Sequence, residues 1–132
     1  MRSNAASLPG SGRSAFGQAG TSAMGMKWSA LHDAAAVVGT LAGTAGAAMS
    51  TELRNFPAAM QDAGGWRLGL TQQGIDDLAA IMEPGLAALL AAHARGAATS
   101  APALALWEEF LAARAALLAL TPPPAAAPLR MT

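Results

Sequence analysis

His93 has the widest chemical repertoire of any residue in this chain, yet its setting argues for packing. It ends the apolar stripe Ile75, Leu78, Met82, Leu86, Leu89, Leu90. That spacing places one helix face against a core. A histidine there is expected to be neutral, packed among leucines and hydrogen-bonded to a backbone carbonyl. A metal or general-base role would need convergent ligands. Dinuclear helical bundles draw theirs from Glu-x-x-His motifs. The sequence has no such motif, its only other histidine is His32, and no His-x3-His pair occurs. Without cysteine, thiolate metal sites and disulfides are excluded.

The carboxylates pair only as neighbours, Asp76-Asp77 and Glu108-Glu109. Adjacent side chains on a helix diverge by about 100°, so neither pair shares a proton or chelates one ion. Asp76 and Asp77 are expected in the first turns of a helix, where the macrodipole favours negative charge. No G-x-S-x-G elbow or phosphate-cradling glycine loop is present. The expectation is a chain with no catalytic residue, cofactor or metal.

Arg114 is the charged residue with the most informative neighbours. On the last helix, Leu104, Leu106, Trp107, Phe110, Leu111, Leu117, Leu118 and Leu120 cover an arc of about 200°, and Arg114 projects from within it. So wide an arc is either sandwiched between neighbouring helices or offered to a partner. The arginine either snorkels to water or forms an interfacial salt bridge. Gly39 and Gly43 form a literal G-x-x-x-G, with Ala35 and Ala47 in register and Gly46 nearby. Each helical glycine costs about 1 kcal/mol relative to alanine, which suggests close approach by another helix. The candidate interaction residues are therefore Leu104, Trp107, Phe110, Leu111, Arg114, Leu118, Gly39 and Gly43.

The elements that must position these residues are helical throughout. Residues 1–25, rich in Ser, Gly and Ala, read as a disordered arm. Having arginine and serine but no acidic residue, they also have the composition of a transit peptide. Residues 26–121 read as one helical domain and 122–132 as an extended, polyproline-like tail. Ser29 is the expected cap of a helix over 29–49. A second helix over 51–63 should break near Asn55-Phe56, because Pro57 suits a first turn. Gly64-Gly65 ends it, and "WRLGL" reads as an extended connector. Thr71 is the expected cap of a long helix bent at Pro84, its freed Ala80 carbonyl on the wet side, with Gly96 past its end. A last helix covers 102–120, capped by Thr99 or Ser100. The fold class is all-α, a small bundle of about four helices.

Formal net charge is zero among eight basic and eight acidic residues, and the basic residues are scattered, unlike a nucleic-acid-binding face. Much of the 53% hydrophobic content is alanine, which buries one methyl where leucine or phenylalanine contributes about 1.5–3 kcal/mol. A core so thin is expected to be completed by a protein partner or another copy of the chain. The predicted function is a non-enzymatic helical interaction module, a structural or accessory subunit. A membrane-associated protein using the Gly/Ala-rich 29–49 segment is the alternative, and a small helical metal protein or enzyme a further one. With Met26 as the start, Lys27 and an Ala45-Gly46-Ala47 cleavage site would loosely fit a signal peptide.

Overall fold

The computed structural model describes residues 22–44 and 49–123. Among them lie four helices and no strand: α1 (Ala23–Ala42), α2 (Thr51–Ala63), α3 (Gly65–Ala94) and α4 (Ser100–Leu118). The all-α bundle is as the periodicity predicts. Residues 1–21, the Ala45–Ala48 stretch with Gly46, and the tail from residue 124 lie outside the described residues.

The boundaries shift for identifiable reasons. Ser22, not Ser29, caps α1, its hydroxyl accepting from the Gly25 N–H at 2.9 Å. The helix therefore includes Met24 and Trp28, and Met24, Trp28, Leu31, Ala35 and Val38 form one buried face. It stops seven residues short of the expected end. Gly43 takes a left-handed φ of 79°, and the Thr44 and Gly43 N–H groups return to the carbonyls of Gly39 and Thr40, a Schellman closure. The G-x-x-x-G is thus not a helix-interior stripe: Gly39 is helical and Gly43 terminates the helix.

Helix α2 starts where expected, with Ser50 capping the Leu53 N–H. It does not break at Asn55-Phe56; Pro57 is inside it and buried. A proline there deprives the carbonyl four residues back, Leu53, of its helical donor. The Trp28 indole Nε1–H supplies the replacement, donating to the Leu53 oxygen at 2.7 Å. The missing bond is made from α1, so the helix continues and is fastened to its neighbour.

Gly64 and Gly65, both with positive φ, reverse the chain, and α3 begins at once. "WRLGL" is its first turns, not an extended connector. The Thr71 side chain does not cap: fully buried, its hydroxyl donates to the Arg67 carbonyl one turn back at 2.8 Å, a bond that competes with capping. Helix α3 runs unbroken through Pro84, as predicted, with Pro84 and Ala80 both exposed. Gly96 lies in the closing turn, its N–H bonded to the His93 carbonyl. Helix α4 starts two residues early, with Thr99 at the cap position.

Helix α1 lies at the centre and packs on all three others, whereas α2 rests on α1 and α3 and hardly touches α4. Lys27 beside Asp76 and Leu31 near Met82 set α1 parallel to α3. Glycine sockets set α4 antiparallel to α3. A Cβ on Gly85 would meet Leu106 at 2.8 Å, and one on Gly74 would meet Leu117 at 2.5 Å. Moving down α3 from Gly85 to Gly74 thus moves up α4 from Leu106 to Leu117. On α1, Gly39 does the same for Trp107, whose ring lies 3.0 Å from the position of an added Cβ. The close approach that the helix 1 glycines suggested is made by an indole of the same chain. It follows that Gly74→Val overpacks the Leu117 socket and lowers stability by about 1–3 kcal/mol in urea unfolding. Gly69→Ala, with nothing within 4 Å of the new methyl, raises it by up to about 1 kcal/mol.

Candidate functional site

Because α2 is tied to α1, a seam opens along its other side. This groove, of about 600 Å³, lies between α2 and α4. Leu53, Phe56 and Ala59 form one wall and Arg114 and Leu118 the other, with Glu52, Asn55 and Thr121 at its margins. Its apolar surface comes from Leu53 and Ala59 of α2 and Leu118 of α4, beside a Phe56 already enclosed at 3% exposure. The partly buried Leu53 and Leu118 extend the core toward the surface.

Arg114 is half-buried at this seam. Its guanidinium carbon lies 5.4 Å from the centre of the Phe110 ring, within cation–π range. Burial pulls its pKa downward, although a guanidinium remains charged at any ordinary pH. Among the described residues the only ion pair is Lys27–Asp76, at 2.6 Å with both side chains more than half exposed. Arg114 thus has an aromatic face beside it and no carboxylate.

Behind the seam sits His32. Its ring meets Trp28 edge-on at 4.7 Å between centres and Phe110 at 5.2 Å. Nδ1 lies 2.9 Å from the Trp28 carbonyl oxygen, so it carries the proton and donates. Nε2 is buried without a partner. Burial is the main cause lowering the His32 pKa, the nearby Arg114 charge adds to the effect, and the Trp28 carbonyl and Asp33 oppose it.

The predicted interaction residues separate into three groups. Arg114 and Leu118 come together at the seam. Phe110 is enclosed in the core at 1% exposure, and Trp107 and Leu111 are half-buried against that core. The wide apolar arc of α4 is thus largely sandwiched between α1 and α3. Leu104 is exposed away from the seam, Gly39 lies under Trp107, and Gly43 ends a helix.

His93 does not pack; it is exposed. In the register of Lys27 with Asp76, an offset of 49 positions, His93 would face a residue beyond Ala42, where α1 has stopped. Asp76 and Asp77 are not in a first turn, since α3 begins at Gly65. Lys27 pairs with Asp76, and Gln73 donates to Asp77 at 2.9 Å. Glu108 and Glu109 are exposed. Among the described residues no three His, Asp or Glu side chains cluster as metal ligands, and no helix is long and apolar enough to cross a membrane.

The sequence reading missed His32, Leu53 and Phe56 as site-forming residues. The signal for His32 was its spacing from Trp28, one helical turn, which a helix start at Ser29 conceals. No protein-family model, curated protein or solved structure matches the chain.

The lowered His32 pKa fixes the sign of a pH effect. Unfolded, the imidazole titrates near 6.5; folded, it holds a proton less readily. Stability is therefore complete above that value and is lost as pH falls below it toward the folded pKa. The melting temperature should drop between about pH 7 and pH 5, and His32→Phe should flatten that drop. An unchanged drop in the variant would assign it to other groups.

Proposed function

We propose that this chain is a non-enzymatic α-helical interaction module, a structural or accessory subunit that engages a partner protein along the α2–α4 seam. The observation that carries this reading is an open, mainly apolar groove holding a half-buried arginine. Arginine and aromatic residues beside a desolvated apolar floor make the usual composition of an interface centre. The small apolar content fits the same reading, because a partner helix over Leu53 and Leu118 would extend a core that one chain leaves thin. The expected surfaces narrow accordingly. The small-residue stripe of helix 1 drops out, and Arg114 and Leu118 remain, joined by residues of α2.

Site-specific photocross-linking in the native host tests this. A photoreactive residue at Ala59, on the seam wall, should give an adduct of defined mass. One at Ala88, exposed on α3, should not, and Leu118→Asp should abolish the Ala59 adduct. The same adducts from both positions, or none from Ala59, would contradict the proposal.

A further inference from the structure

We infer that His32 is an acid-responsive latch between α1 and α4: on taking up a second proton its imidazole leaves the space between Trp28 and Phe110, and the second half of α4, residues 110–118, loosens from α1. These contacts lie inside the chain, so the latch is independent of what occupies the seam.

The neutral ring is matched to its surroundings and the charged one is not. Nδ1–H donates to the Trp28 carbonyl at 2.9 Å, and the ring meets Trp28 and Phe110 at 4.7 and 5.2 Å between centres. Nε2 is buried with no hydrogen-bond partner. A proton there turns a bare neutral acceptor into a charged donor that faces no acceptor, and a buried charge without a partner is strongly disfavoured. The aromatic faces offset part of that cost. Phe110, however, already has the Arg114 guanidinium carbon 5.4 Å from its ring centre, so a second cation would share that ring with the first.

Among the described residues two charges act on the imidazole: Arg114 of α4 opposes the added proton and Asp33 of α1 favours it. Asp33 is exposed, and water weakens its attraction. Other charges on the packed elements are solvated or engaged. Glu52 and Arg54 of α2 are exposed, with Arg54 donating to the Met49 carbonyl at 2.7 Å. Asp76 of α3 pairs with Lys27 of α1, and Glu108 and Glu109 of α4 are exposed.

The way out is short. His32 is half-buried, so rotation about its side-chain bonds carries the imidazole to water without unwinding α1. Its departure strips one covering ring from Phe110, which is 1% exposed in the closed arrangement. The lost packing contacts are those that hold α4 to α1 at this level.

The test uses NMR on the full chain carrying His93→Gln, which leaves His32 as the one imidazole. The His32 ring should titrate with a midpoint below 6.5. Below that pH, amide protection of residues 110–118 should fall by up to about tenfold per pH unit, the slope of one proton, until the midpoint is passed. Protection of residues 86–90 on α3 and helicity by circular dichroism should stay level. His32→Phe should abolish the fall. Arg114→Gln should raise the midpoint and shrink the total loss of protection; Asp33→Asn should lower the midpoint and enlarge the loss. These two variants leave the ring in place, so they decide the matter even where His32→Phe repacks the site. An equal fall in residues 86–90 would mean that the proton only lowers overall stability, which keeps the melting-temperature drop and overturns the latch. Titration of His32 with residues 110–118 still protected would also overturn it, because the cation would then be held in place. Midpoints that move the same way in both charge variants would overturn it as well.

Discussion

The hydrogen bond from the Trp28 indole to the Leu53 carbonyl governs how this chain is arranged. Pro57 would ordinarily end or kink a helix as short as α2, since it removes one donor and leaves a carbonyl to be satisfied elsewhere. Here the orphaned carbonyl is part-buried, and an unpaired acceptor in such a place costs about 1–3 kcal/mol. Trp28, 1% exposed, answers it from a neighbouring helix while its ring lies 4.8 Å from Phe56, centre to centre. One side chain thereby supplies apolar burial, an aromatic contact and the missing donor. The defect in α2 becomes the fastening that selects α1 as its neighbour.

The rest of the arrangement follows from that choice. Helix α4 packs on α1 and α3 through Trp107, Leu106 and Leu117, each approaching a glycine where an added Cβ would press on its side chain. Helix α2, held against α1, is left apart from α4, and the gap between them is the seam. The groups that border it inherit unusual surroundings. Arg114 is half-buried beside Phe110 without a carboxylate, and His32 is wedged between Trp28 and Phe110 with one ring nitrogen unpaired. Both lie where a thin core meets the surface.

The helical class, the α2 start, the end of α2 at Gly64-Gly65 and the unbroken passage through Pro84 were legible because local chemistry decides them. Ser50 caps its own helix, and an exposed Pro84 leaves its carbonyl to water. What stayed hidden depends on partners distant in sequence. Pro57 reads as a break until Trp28 is known to face Leu53. Thr71 and Ser29 read as caps because hydroxyls favour that role, but the Thr71 hydroxyl binds one turn back and α1 starts earlier at Ser22. His93 continues its apolar stripe correctly, but the helix that would have covered it ends first. Of the site, Arg114 and Leu118 were visible as members of an overly wide apolar arc. Leu53, Phe56 and His32 were not, since only the packing of α2 on α1 brings them to the same place.

A double-mutant cycle in urea unfolding tests the fastening most directly, using Trp28→Phe, Pro57→Ala and the two combined. Alanine at 57 restores a backbone N–H for the Leu53 carbonyl, so the loss of the indole donor should matter less in that background. Trp28→Phe should cost more in the native chain than in Pro57→Ala, with a coupling of about 1 kcal/mol or larger. An equal cost in both backgrounds would mean that Trp28 acts by bulk alone and that α2 is held in place by something else.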